Sequence, residues 1–312
     1  MESNKREELL KNRGLGATLK AAYGVFLSRF QFVVKHLWPA ALLFAVLGPL
    51  ALMAGMFSAQ SGPASLWLMV PVILLVFVAE VVLYSRIAQL LNDKPWKWNL
   101  WRMLKLALAA IGVNVVVSVI VSIVWVLAWV LFTPESSATP VEAQLSMEQI
   151  AAASLKIVAV VGVVSLLCAV LMVPFAFSFT KYVVDTESGM RQVFGSSYKQ
   201  GLRHWGYIFA TMMLSGLLVM LAGFLFCLPL VIVYVALMLD MQGLARGDAS
   251  GLPGGFPWLV YFVSVITYFV LSFVMVFLAY VCYYMYGTVE TRQKEREAGD
   301  KMSAIKLAEE GI

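Results

Sequence analysis

The residue best placed to do chemistry in this chain of 312 residues is Glu80, set within Phe77-Val-Ala-Glu-Val-Val-Leu83. A carboxyl in the middle of an apolar run costs a few kcal/mol to bury in hydrocarbon, and such groups often mark ion or proton pathways. Two readings stay open for it. Glu80 is part of a pathway, or it faces the bundle protonated or hydrogen-bonded, paired with Asn114 or reaching towards Arg86. One carboxyl without a second buried partner makes a poor relay, so Glu80 and Asn114 are candidates for either a transport or a structural polar role.

The other reactive residue types are sparse. His36 and His204 are the two histidines, each just ahead of an apolar run and each followed by a tryptophan, Trp38 or Trp205. Metal binding needs several converging ligands, so the expectation is interfacial anchoring and no metal or other cofactor. Cys168, Cys227 and Cys282 all lie in apolar runs and read as small buried residues, not as a disulfide framework. The H-E-x-x-H helix, the phosphate-binding Walker loop and the G-x-S-x-G elbow are absent. No nucleophile stands beside a base, and the expectation is that the protein is not an enzyme.

The elements that must hold these residues are membrane helices. Composition is 61% hydrophobic and 13% charged, which belongs to a polytopic membrane protein. Apolar stretches at about 36–57, 67–91, 104–133, 152–183, 205–239 and 257–288 each reach the roughly 20 residues that cross the hydrocarbon core. The predicted fold class is all-α, a six-span transmembrane bundle with amphipathic interfacial helices. Its parts are an N-terminal region 1–35 with an interfacial helix, a membrane domain 36–288 with a second interfacial helix near 187–204, and a charged tail 289–312.

Charge sets the orientation. Of 23 Lys and Arg residues, all except Lys156 and Arg246 fall before span one, between spans two and three, between spans four and five, or after span six. The positive-inside rule then places both termini in the cytoplasm. It also accounts for a net charge of +5 without a nucleic-acid partner. The basic N-terminal region ends in no small-residue cleavage site, so a signal peptide is not expected. The loops on the other side, near 58–64, 133–149 and 243–255, read as flexible connections.

Two segments at the basic side look like surface helices. Leu19, Ala22, Tyr23, Phe26, Phe30, Val33, Val34 and Leu37 recur at helical spacing, as do Met190, Val193, Phe194, Ser197, Gly201, Leu202 and Trp205. Lys20, Arg191, Lys199 and Arg203 lie on their polar sides and are candidate contacts for anionic lipid headgroups. An offset of 171 residues aligns Lys20-Ala-Ala-Tyr-Gly24 with Arg191-Gln-Val-Phe-Gly195. A third such helix is expected before span three, capped by Asn92 or Asp93 with Pro95 in its first turn. The chain then reads as three units, each a surface helix followed by a hairpin of spans. Pro49, Pro71, Pro174 and Pro229 lie inside spans and should kink them.

The run Phe175-Ala-Phe-Ser-Phe-Thr-Lys-Tyr-Val-Val-Asp185, followed by Gly189-Met-Arg-Gln-Val-Phe-Gly-Ser-Ser-Tyr-Lys199 and His204-Trp205, resembles a six-helix membrane domain. That domain occurs attached to some bacterial glycerophosphoryl diester phosphodiesterases and also alone. The resemblance implies a bacterial inner-membrane module without the hydrolase barrel, so no phosphodiesterase residues carry over. The expected role is to organise lipid or a cytoplasmic protein partner through the basic face; the alternative is a small transporter or channel built around Glu80.

Overall fold

Hydrocarbon offers no hydrogen bonds, so a crossing segment must satisfy its own backbone, and long apolar runs do so as helices. A computed structural model describes residues 9–61, 66–132, 147–248 and 251–309. Among them the helices are α1 Leu15–Ser28, α2 Phe30–Ser61, α3 Leu66–Asn92, α4 Trp96–Phe132, α5 Met147–Val184, α6 Met190–Phe194, α7 Ser196–Arg203, α8 Trp205–Ala245 and α9 Phe256–Glu309, with no strand. Six of these, α2, α3, α4, α5, α8 and α9, are long and apolar enough to cross a membrane. The all-α, multi-pass architecture is therefore the one the composition demanded. Lys5 and Arg6, residues 62–64 of the loop expected near 58–64 and residues 133–146 of that expected near 133–149 lie outside the described residues, while 58–61 continue α2 and 147–149 begin α5.

Spans pair as hairpins, α2 with α3, α4 with α5 and α8 with α9, and α9 also packs along α2. The main core sits towards the basic end, where Val33 and Leu37 of α2, Ile87 of α3, Phe177 of α5, Ile208 of α8 and Met285 of α9 meet. Farther along, α4, α5 and α8 leave side chains such as Val130, Leu166 and Phe224 on the protein's surface. A bilayer makes that inexpensive, because lipid tails are as apolar as the side chains they touch.

Four expectations change in detail. The first surface helix stops at Ser28, where Arg29 takes φ −110°, ψ 12°, and span one begins at Phe30. Of its expected buried face, Ala22, Val33 and Leu37 are fully buried while Tyr23 and Phe30 are exposed. The second surface segment is two helices, α6 and α7, broken at Gly195 and ended by His204 at φ −112°, ψ 23°. No separate helix precedes span three, since α4 runs unbroken from Trp96. Asn92 does not cap it: its Nδ2 donates to Asn99 Oδ1 at 2.7 Å and to the Val183 carbonyl at 2.9 Å. Finally, the boundary expected at 289 falls inside α9, whose 54 residues extend about 81 Å at 1.5 Å per residue.

The two remaining surface units do share a geometry, in a different register from the one the sequence suggests. Gly14 and Gly189 both precede a helix in extended conformation, and Arg29 and His204 both bend the chain into a span. Both pairs stand 175 residues apart. In that register buried Thr18 matches Val193, Ala22 matches Ser197 and Val33 matches Ile208.

The start of the described chain is strapped to α9. The Leu9 carbonyl lies where a β-carbon on Gly287 would stand, so only glycine lets the strands of backbone approach this closely. Arg292 donates from Nε to Asn12 Oδ1 at 2.9 Å and from Nη2 to the Arg13 carbonyl at 3.2 Å. Asn12 Nδ2 in turn donates to Glu295 Oε2 at 3.0 Å.

Candidate functional site

Glu80 borders a cavity of about 340 Å³ with Phe44, Tyr84, Tyr268 and Ser272 among its walls. Neither expected partner reaches it. Asn114 Nδ2 donates to its own helix at the Ala110 carbonyl, 3.0 Å, on an exposed face of α4. Arg86 donates from Nη1 to Gln89 Oε1 at 3.3 Å, with its guanidinium over the Trp96 ring. The cavity walls are mostly apolar, which suits a hydrophobic guest or packed lipid better than a column of water.

Polar chemistry gathers instead at the basic end, and Pro174 begins it. Proline lacks an amide hydrogen, so the Val170 carbonyl one turn earlier loses its helical donor. The Trp205 indole Nε1 fills that place at 3.0 Å, and Tyr198 Oη donates to the Leu171 carbonyl at 3.0 Å. Gly201 lies so close that a β-carbon would come within 2.9 Å of the Pro174 oxygen. Pro174, the residue expected to kink span four, is thus the seat on which α7 and the start of α8 are docked.

Beside this seat Lys181 of α5 meets Glu290 of α9, Nζ to Oε1 at 2.5 Å, with the two side chains only 19% and 15% exposed. Gln200 joins them: it accepts from Lys181 Nζ at 2.9 Å and donates from Nε2 to Glu290 Oε1 at 3.1 Å. One network therefore ties α5, α7 and α9. Sequence reading passed over Gln200 and Glu290, although an acid directly after one apolar run and a lysine closing another was the available signal.

His204 closes the group. It is 7% exposed, its Nδ1 donates to the Gln200 carbonyl at 3.2 Å, and its Nε2 is buried without a partner. Burial, then the charges of Arg296, Arg292 and Arg203, hold its pKa below the usual histidine value against the pull of the Gln200 carbonyl. The folded chain keeps the ring neutral while the unfolded chain takes a proton near pH 6.5, so stability is full above that pH and falls as pH drops towards the folded pKa. Thermal unfolding in detergent at pH 7.5 and 5.5 should show a larger loss on acidification for wild type than for His204→Asn. Equal losses would contradict this assignment.

A second anchor stands at Arg102. Its Nη2 donates to the carbonyls of Tyr182, Asp185 and Ser188, the latter two at 3.1 Å, and its Nη1 to the Thr186 carbonyl at 3.1 Å. The guanidinium lies over the rings of Tyr182, 3.9 Å, and Trp98, 4.6 Å. It therefore fixes the end of α5 and the turn that follows. The four basic residues singled out in the surface helices, Lys20, Arg191, Lys199 and Arg203, are all exposed. They ring this end without converging on a common point of chemistry, and no group of three metal-ligating side chains occurs among the described residues. No protein-family model matches the chain, and comparisons with curated proteins and with solved structures give no significant match.

Proposed function

We propose that this protein is a non-enzymatic module of a bacterial inner membrane that orders anionic lipid at its basic, cytoplasmic end. The observation that carries the reading is the same division of labour in both surface units. Small residues, Thr18 and Ala22 in α1 and Ser197 and Gly201 in α7, are buried against the bundle. Outward go Lys20 with Tyr23 and Leu27, and Arg191, Lys199 and Arg203 with Phe194 and Leu202, the four apolar side chains being 47–55% exposed. A helix that offers apolar and basic groups together is suited to the boundary between headgroups and acyl chains. Kinship with the six-helix domain of bacterial phosphodiesterases belongs to the same proposal, supported by the surface helix, bend and span at 189–205.

Each cation near an anionic surface contributes about 1 kcal/mol. Replacing Lys20, Arg191, Lys199 and Arg203 together by Gln should therefore lower the retention of anionic over zwitterionic lipid on the purified protein by roughly tenfold or more. Unchanged retention would refute the reading.

The cavity beside Glu80 favours a second reading, a small transporter or channel. Its apolar walls weigh against an aqueous path, and flux in proteoliposomes that is the same for Glu80→Gln as for wild type would retire it.

A further inference from the structure

Trp98, Trp101, Arg102 and Lys105 stand at spacings of three, four and seven, which puts them on one face of α4. They occupy its first turns, just before the long apolar run that carries the helix across the membrane. Against that face lies the turn after α5, and between them is a cavity of about 400 Å³ that Tyr182 and Ser188 also border. Its walls hold two cations and no carboxylate. Asp185 is the acid whose field reaches Arg102, but its Oδ1 accepts the Glu187 amide at 3.1 Å and the residue does not line the space.

The two cations differ in a useful way. Arg102 is hydrogen-bonded only to neutral acceptors, backbone carbonyls and the Ser188 hydroxyl at 3.3 Å, so its position is locked while the field of Asp185, which does not bond it, offsets only part of its charge. Lys105 is exposed, rests over the Trp101 ring at 5.2 Å and forms no ion pair with a described residue. A fixed positive field, a movable ammonium with three donors, and two indoles at headgroup level make a receptor for a compact anion attached to an apolar body.

We propose that this cavity binds the phosphate of a phosphate ester, with an anionic phospholipid headgroup as its source and a free phosphate ester as the other. Met190, the first residue of α6, borders the site, but none of Lys20, Arg191, Lys199 and Arg203 lines it, and the proposal rests on the lipid-ordering reading in needing this end of the bundle at the membrane surface.

Native mass spectrometry of the full chain, extracted from membranes and exchanged into phosphatidylglycerol-doped nanodiscs, tests it. The expected result is one tightly held anionic lipid per chain in wild type, with occupancy at least tenfold lower in Lys105→Gln and Lys105→Glu. Trp101→Ala should lower it as well; Arg102 is left in place because it holds the fold of the neighbouring turn. The variant with Gln at positions 20, 191, 199 and 203 should lose bulk preference for anionic lipid yet keep the single bound molecule. If that variant loses no bulk preference while the Lys105 variants lose the bound lipid, the pocket stands and the broader functional reading fails. Delipidated protein titrated with glycerol 1-phosphate and with inorganic phosphate identifies the source: saturable binding that Lys105→Gln abolishes, in protein that retains no lipid, assigns the free ester. Wild type holding neither a stoichiometric lipid nor a saturable phosphate, or Lys105 variants that hold them as well as wild type, overturns the proposal.

Discussion

Arg102→Met is expected to destabilise the folded chain by about 2–4 kcal/mol, because it removes charge-assisted hydrogen bonds and leaves several part-buried acceptors without a donor. Those acceptors are the carbonyls of Tyr182, Thr186 and Ser188, which cluster where α5 ends and turns towards α6, while the Asp185 carbonyl keeps the Ser188 amide and hydroxyl as donors. Arg102→Lys keeps the charge and loses the planar fork, so it should fall between Met and wild type. Unfolding in mixed detergent micelles, followed by tryptophan fluorescence, measures both. The disagreement to look for is a Lys variant as stable as wild type, which would mean that charge alone does the holding. A Met variant of wild-type stability would remove the anchor from the account altogether.

Lys181→Met should cost about 2 kcal/mol, below the 3–5 kcal/mol of fully buried pairs, since both side chains keep some exposure. The loss comes mainly from stranding Glu290 beside Gln200 in a nearly dry contact between α5 and α9. The double variant Lys181→Met with Glu290→Leu removes both charges and should recover much of that stability. The same micelle titration on the two single variants and the double closes a thermodynamic cycle. Additive losses would show that the two charges are not coupled, contrary to their 2.5 Å separation.

Much of this fold was written in the apolar runs. Crossing a bilayer imposes one length and one composition, so all six spans could be located, although the third begins earlier and the sixth runs well past its expected end, and clustering of Lys and Arg identified the end where polar contacts gather. What the sequence concealed is long-range. Lys181 and Glu290 lie 109 positions apart, and nothing local in either says that α5 and α9 will bring them together. Arg102 looked like one more topogenic charge, yet the chain uses it to close a turn more than 80 positions away. Pro174 was legible as a helix irregularity; that Trp205 would occupy its orphaned carbonyl depended on how α8 packs. The internal repeat was sensed in the wrong register because a shared glycine, Gly24 with Gly195, drew the alignment. Gly195 breaks a helix and Gly24 sits within one, whereas Gly14 and Gly189 share a conformation. For Glu80, periodicity flagged the cost of the carboxyl and could not say that Asn114 and Arg86 would turn elsewhere.

The strap of residues 9–13 across α9 has a bearing on how the chain is made. Asn12 and Glu295 are separated by 283 positions, so at about 5–20 residues per second the first of them leaves the ribosome roughly 15–60 s before its partner exists. Throughout that time five hairpin-forming spans can enter the bilayer while the leading segment has nowhere to dock. A chain that stops before Gly287 has nothing to fasten its leading segment to, and the strap is completed stepwise as Gly287, Arg292 and finally Glu295 are made.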